Sequence, residues 1–230
     1  MFLQWTSAGP LLYNSAVLLL QIVVFSKGAQ RSETCVEGGT GMSLRLELST
    51  AADAQVVKNF WPLYQHDVSP YANLSPNRAG IFTDDERWST LTEFGETLAP
   101  WWNEPGVLFP YLLRRDDRPI GFNFVAARAR LPEGIDADFA IHEFFVIRGE
   151  RGTDAAEHAA LAGIERHHGT WEIVTWPENA PAIGLWRRVA ERVMPGGWRE
   201  DEIDHPWGRR VRFRFENERD RAHAPRGDRD

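Results

Sequence analysis

The chain is almost without lysine: only Lys27 and Lys58 occur, so 24 of its 26 basic residues are arginine. The arginines are spread along the sequence and answered by 33 acids, leaving a net charge of −7. That balance is the reverse of what a nucleic-acid surface needs. Cysteine is nearly absent. A lone Cys35 excludes an intramolecular disulfide framework and any multi-cysteine metal site, so no metal is expected. It fits a reducing, cytoplasmic setting. A long hydrophobic run is also missing. The densest stretch, Leu11 to Phe25, is shorter than the roughly 20 residues of a bilayer span. It is also broken by Asn14, Ser15 and Gln21. No basic residue precedes it, as a secretory signal requires, and Lys27 spoils the obvious cleavage site after Ala29.

Residues 1–26 carry no charged side chain, and a Gly/Ser/Thr-rich linker then leads to Met42. We expect residues 1–43 to stand outside the fold, with Met42 as the functional start. A weak membrane anchor is the less favoured reading. Lys27 and Arg31 would then keep the domain on the cytoplasmic side. The rest has the composition of a globular domain, with 43% hydrophobic and 26% charged residues overall.

From Met42 onward, elements alternate. "SLRLELS" (43–49) reads as a strand, and "TAAD" (50–53) as a capping box before a helix that buries Val57, Phe60, Trp61 and Tyr64. Pro62 is expected to kink or shorten that helix, and the stretch 69–80 to be a loop. Residues 84–98 read as a second helix. Residues 111–129 read as a hairpin turning at Asp116–Pro119, with Ile120, Phe122 and Phe124 on one face. "FAIHEFFVI" (139–147) is a strand apolar on both faces. A helix at 154–168, a strand at 171–176, a helix at 179–193 and strands at 198–203 and 210–216 follow. The charged tail 217–230 is expected to be disordered.

Strand 139–147, helix 154–168 and strand 171–176 form a βαβ unit, so part of the sheet is parallel. Three local features stand out: "EFFVI" feeding "RGERGTDAA", "WEIVTWPEN" after the helix, and "ENAPAIGLWRRV" opening the next one. Their order resembles the GCN5-related N-acetyltransferase (GNAT) superfamily over residues 44–216. The fold class implied is mixed α/β (α+β), with a central twisted mixed sheet of about seven strands and flanking helices. The family's signature Q/R-x-x-G-x-G/A is matched by Arg151 and Ala156, while Asp154 replaces the middle glycine.

The physical reading runs alongside. N–H groups from Gly152 through Thr153, Asp154, Ala155 and Ala156 can converge on an anion at a helix N-terminus, with Arg148 and Arg151 adding charge. The competing reading is an ordinary helix start capped by Thr153 or Asp154. The resemblance implies acetyl-CoA as co-substrate. It also implies a splay between strands 139–147 and 171–176, where the pantetheine arm pairs with Phe145, Val146 and Ile147. Related transferases place an acid on this strand, near His142 and Glu143. Alternation puts these two on opposite faces, so only one can serve. Glu143 is preferred as general base. Many relatives protonate the leaving thiolate from a tyrosine seven residues after the asparagine matched by Asn179. Here that position is Trp186, whose indole is too weak an acid. Tyr71 and Tyr111 are the other phenols considered. Asn179 either binds the CoA arm or caps its helix.

The acceptor would be a small amine or a protein amine. His66, Asp67, Tyr71, Trp101, Trp102 and Glu104 would suit a cation if they form an acidic aromatic cleft. The two tryptophans read more readily as core or homodimer contacts than as walls of such a cleft. Three functions follow: an N-acetyltransferase, a GNAT-fold protein that binds CoA without turnover, and a membrane-anchored interaction module.

Overall fold

The computed structural model describes residues 22–23, 43–206 and 208–218. Its centre is β5 (Phe139–Val146), whose run of apolar residues suits a strand covered on both faces. The hairpin β3 (Leu108–Arg115) and β4 (Arg118–Ala127) lies on one side of it, with β2 (Leu44–Leu48) at the edge. On the other side lie β6 (Gly169–Thr175), β8 (Gly208–Asn217) and β7 (Arg199–His205). The strand order is β2-β3-β4-β5-β6-β8-β7. β5 and β6 run parallel, and the other neighbours on this path are antiparallel. This is the expected mixed seven-stranded sheet with flanking helices. Within the segment expected to stand outside the fold, Ile22–Val23 forms a short strand, β1, paired parallel with β5 at Phe144 and Phe145.

Each face of the sheet has its own core. Ile141, Phe144 and Val146 pack with the alanine-rich α4 (Ala155–Ile164) and with Leu185, Trp186 and Val189 of α5 (Ala180–Val193). Phe122, Phe124 and Phe145 pack on the opposite face with α1 (Ala54–Ala72), α2 (Leu91–Gly95) and α3 (Pro100–Asn103). Gly121 lets β4 approach β5, since a Cβ there would stand 2.1 Å from the Phe145 carbonyl oxygen.

Three local expectations are corrected. Helix α1 runs through Pro62 and Pro70 to Ala72, ending at Asn73 in the left-handed region with φ 53°. The loop therefore starts four residues later than its composition suggests. An interior proline costs a helix about 3 kcal/mol. The buried stripe Val57, Trp61, Tyr64 and Val68 offsets this at roughly 1.5–3 kcal/mol per large apolar side chain. The second helix is shorter than expected, because its capping box lies at Thr90 and Glu93, and residues before it form turns. Finally, β4 carries a bulge at Ile120, since Leu113 pairs with Gly121 and Arg114 with Pro119. Ile120 thus joins the α4/α5 core while Phe122 and Phe124 face α1.

Candidate active site

The site grows from two irregularities of β5. The first is its parting from β6. The two strands pair only at Phe139 with Trp171 and Ala140 with Glu172. Beyond Ala140, the β5 edge turns away from β6. A small cavity lies in the wedge, its lining including Ala140, His142, Glu172, Val174 and His205.

The second is a bulge. Phe124 pairs with Glu143 and Val125 with Ile141, so His142 is the extra residue. A bulge breaks the alternation of side chains. His142 and Glu143 therefore do not face opposite sides, as strict alternation predicts. Both look toward α1 and α3. The His142 Nδ1 lies 3.5 Å from a Glu143 oxygen, and the ring stands edge-on to Trp101. The Tyr64 hydroxyl of α1 donates a hydrogen bond to the other Glu143 oxygen. All three side chains are buried. Phenol, carboxylate and imidazole thus form one contiguous group at the wedge.

The turn after β5 is a single 3-10 turn, Arg148–Glu150, followed by Arg151 in extended conformation and Gly152 with φ 81°. A positive φ of that size favours glycine. Helix α4 then opens on Ala155 and Ala156, with Thr153 Oγ1 accepting from the Ala155 N–H at 3.2 Å. The first-turn N–H groups beyond it have no partner within the helix, and Ala155 and Ala156 are themselves buried.

The two arginines expected to serve an anion are held by α1 instead. Asp67 accepts from Arg148 Nε at 3.1 Å and also pairs with Arg151. Arg151 is buried, and its Nε donates to the Val146 carbonyl at 2.8 Å. The Arg148 side chain is 66% exposed and keeps donors available to solvent. Burial works against ionisation of Asp67, but hydrogen bonds and charge from the two arginines outweigh it and hold the carboxyl below its usual range. Asp154 is oriented outward, with 76% of its side chain exposed. Its partner is Arg115 at the end of β3, 3.3 Å away, rather than Arg148 or Arg151.

On the α5 side, Asn179 is fully buried and caps the helix by accepting from the Ala182 N–H at 3.3 Å. Trp186 is buried edge-on against Phe144, and its indole N–H has no hydrogen-bond partner among the described residues. Of the strand residues named for the CoA arm, Phe145 packs against Phe60 and Tyr64. The Ile147 N–H is already used by the Ile120 carbonyl.

The acidic aromatic residues do not gather into one cleft. Asp67 is neutralised by arginines, Glu104 pairs with Arg130, and Trp101 is buried against Phe124. The Trp102 indole donates to Ser49, and Tyr71 stacks on Trp176. Tyr111 sits on the far face, bonded to His167. Residues not singled out from sequence line the wedge: Glu172, whose pKa is raised by burial against the pull of Arg212 and Arg214, and His205, lowered to about 4 by burial and then by Arg210, Arg212 and His142. Among the described residues, no group of three or more metal-ligating side chains forms, and no helix is long and apolar enough to cross a membrane.

No protein-family model and no curated protein matches the sequence. Solved structures do match the fold. The aminoglycoside acetyltransferase AAC(6')-Ib, in complex with coenzyme A and kanamycin, is 16% identical with a TM-score of 0.55, over 76% of this chain and 95% of that one. Mycobacterium smegmatis RimJ, in complex with CoA-disulfide, is 17% identical with a TM-score of 0.51, over 75% and 81%. A ribosomal-protein-S5-alanine acetyltransferase from Vibrio fischeri is 13% identical with a TM-score of 0.50, over 76% and 93%. At these identities the likeness is one of architecture: the chain has the GNAT fold.

Proposed function

We propose that the protein is an acetyl-CoA-dependent N-acetyltransferase that acts on a primary amine in a ternary complex. The observation that carries this reading is the parting of β5 from β6 beside the Tyr64–Glu143–His142 group. A pantetheine arm carries two amides, and their hydrogen-bonding groups suit the open edge of a strand. Phe145, Val146 and Ile147 border that edge. Its pyrophosphate suits the turn from Gly152 to Ala156, with Arg148 adding charge from its exposed head. Arg151 has a positioning role, tying the turn to α1 through Asp67 and to β5 through the Val146 carbonyl.

Glu143 is the general base. It accepts the proton of the attacking amine through one bridging water, since its own carboxylate is buried. Tyr64 fixes one carboxylate oxygen, and His142 lies beside the other. A backbone N–H of β5 polarises the thioester carbonyl. The amine nitrogen then bonds to the acyl carbon, the carbon–sulfur bond breaks, and CoA leaves as thiolate. Trp186 takes the place of a phenolic acid and cannot supply the proton. Its N–H is a hydrogen-bond donor for the sulfur, while the proton comes from solvent. Asn179 holds α5 in register beneath this point.

The acceptor is a small amine or a protein amine, and the setting is the cytoplasm. Kanamycin in one neighbour and a ribosomal protein's alanine in another's name motivate including both kinds in an assay. The test is a melting-temperature titration with acetyl-CoA followed by thiol release over an amine panel. At 100 times the dissociation constant, binding stabilises by about 2.7 kcal/mol.

The alternative, CoA binding without turnover, is favoured by one observation: Trp186 stands where a phenol is expected. A melting shift without thiol release on any amine would select it.

A further inference from the structure

The open edge of β5 already has an occupant. Ile22 pairs with Phe144 and Val23 with Phe145, parallel to β5, on the stretch that β6 has left. The other edge of β5 is taken by β4 over Gly121 to Ala127, so β1 can only lie in the wedge. There it sits against both α1 and α5, the helices that carry Tyr64 and Trp186. It therefore overlaps, at Phe145, the strand positions assigned above to the pantetheine arm.

We propose that β1 and the arm of acetyl-CoA compete for this edge, so that the N-terminal segment is a built-in strand plug of the co-substrate site. This rests on the acetyl-CoA reading above. A strand edge offers one row of N–H and C=O groups, and an extended peptide and a pantetheine arm satisfy that row in the same way. Both cannot be paired at Phe145 at once. β1 belongs to the same chain, so its pairing is intramolecular, with an effective concentration that a free ligand must outcompete. Its paired length is two residues, a short ladder that a tighter ligand can displace. A plug of this kind lowers apparent affinity by the fraction of time the edge is open.

The test uses the full chain carrying Ile22→Pro and Val23→Pro together. Both substitutions remove a backbone N–H, so the ladder to β5 cannot form. If wild-type β1 is paired nine-tenths of the time, the variant binds acetyl-CoA about tenfold more tightly by calorimetry. Hydrogen exchange on the wild type gives a second measurement that needs no variant: saturating acetyl-CoA speeds exchange of the amides at Ile22 and Val23. Equal affinity of variant and wild type, or unchanged exchange at these amides while acetyl-CoA is bound, overturns the plug alone. If neither protein binds acetyl-CoA at millimolar concentration, the co-substrate reading falls and the competition falls with it.

Discussion

The Tyr64 hydroxyl donates a hydrogen bond to the Glu143 carboxylate, joining two residues 79 positions apart in the chain. Tyr64 is one member of the buried stripe of α1, and Glu143 follows the β5 bulge. The carboxylate proposed as general base is thereby held from the helix that covers it.

Replacing Glu143 by Gln keeps the shape and removes the base. Turnover falls by about 10²–10⁴-fold, the usual range for general-base loss, with little change in acetyl-CoA affinity. Tyr64→Phe removes a hydrogen bond to a charged group worth about 1.5–3 kcal/mol and leaves a buried carboxylate oxygen short of a donor. We expect a lower melting temperature and a shifted acidic limb of the pH–rate profile. An unchanged limb would show that Tyr64 only fills space.

Asp67→Ala removes the carboxylate that pairs with Arg151, a buried guanidinium. Breaking a buried pair from one side costs about 3–5 kcal/mol. Urea unfolding should show that loss. A loss below about 1 kcal/mol would contradict the positioning role given to this clamp.

Much of this architecture is legible in the sequence, and the illegible parts share a cause. The alternation in "SLRLELS", the apolar run at 139–147 and the 3.6-residue stripe of 179–193 report local periodicity, and the observed elements lie where they fall. Bulges leave no such signal. One extra residue at His142 brought His142 and Glu143 to one side of the strand, and another at Ile120 moved that side chain to the other core. Long-range pairing is equally silent: nothing around Asp67 announces two arginines more than 80 residues away. Helix α1 survives two prolines because of what it buries, a property of the sheet beneath it.

Asp154 is tethered by Arg115, which also bonds Glu150. In the proposed complex the pair would dampen repulsion of the pyrophosphate at the turn. Asp154→Asn should tighten acetyl-CoA binding modestly, most at low salt, where screening is least. Arg115→Gln should weaken binding under the same conditions by leaving two uncompensated carboxylates near the turn. Titrations at two salt concentrations measure both, and identical affinities at low salt would place the phosphates elsewhere.

His167 and His205 each have a pKa lowered to about 4, chiefly by burial. In the unfolded chain they protonate near 6.5. Below that pH the unfolded state binds the additional protons, so stability is lost as pH falls from about 6.5 toward 4. The contribution is about 3 kcal/mol for each, by order of magnitude. Melting temperatures across this window should fall, and His167→Gln or His205→Gln should flatten the slope. A slope unaffected by either change would assign acid sensitivity to other groups.

The most direct measurement is CoA thiol release from acetyl-CoA by the full chain, with aminoglycoside and alanine-terminal peptide acceptors, for wild type and Glu143→Gln. The account predicts amine-dependent release by the wild type and its near loss in the variant. No release with any amine, together with no melting shift at millimolar acetyl-CoA, would contradict it.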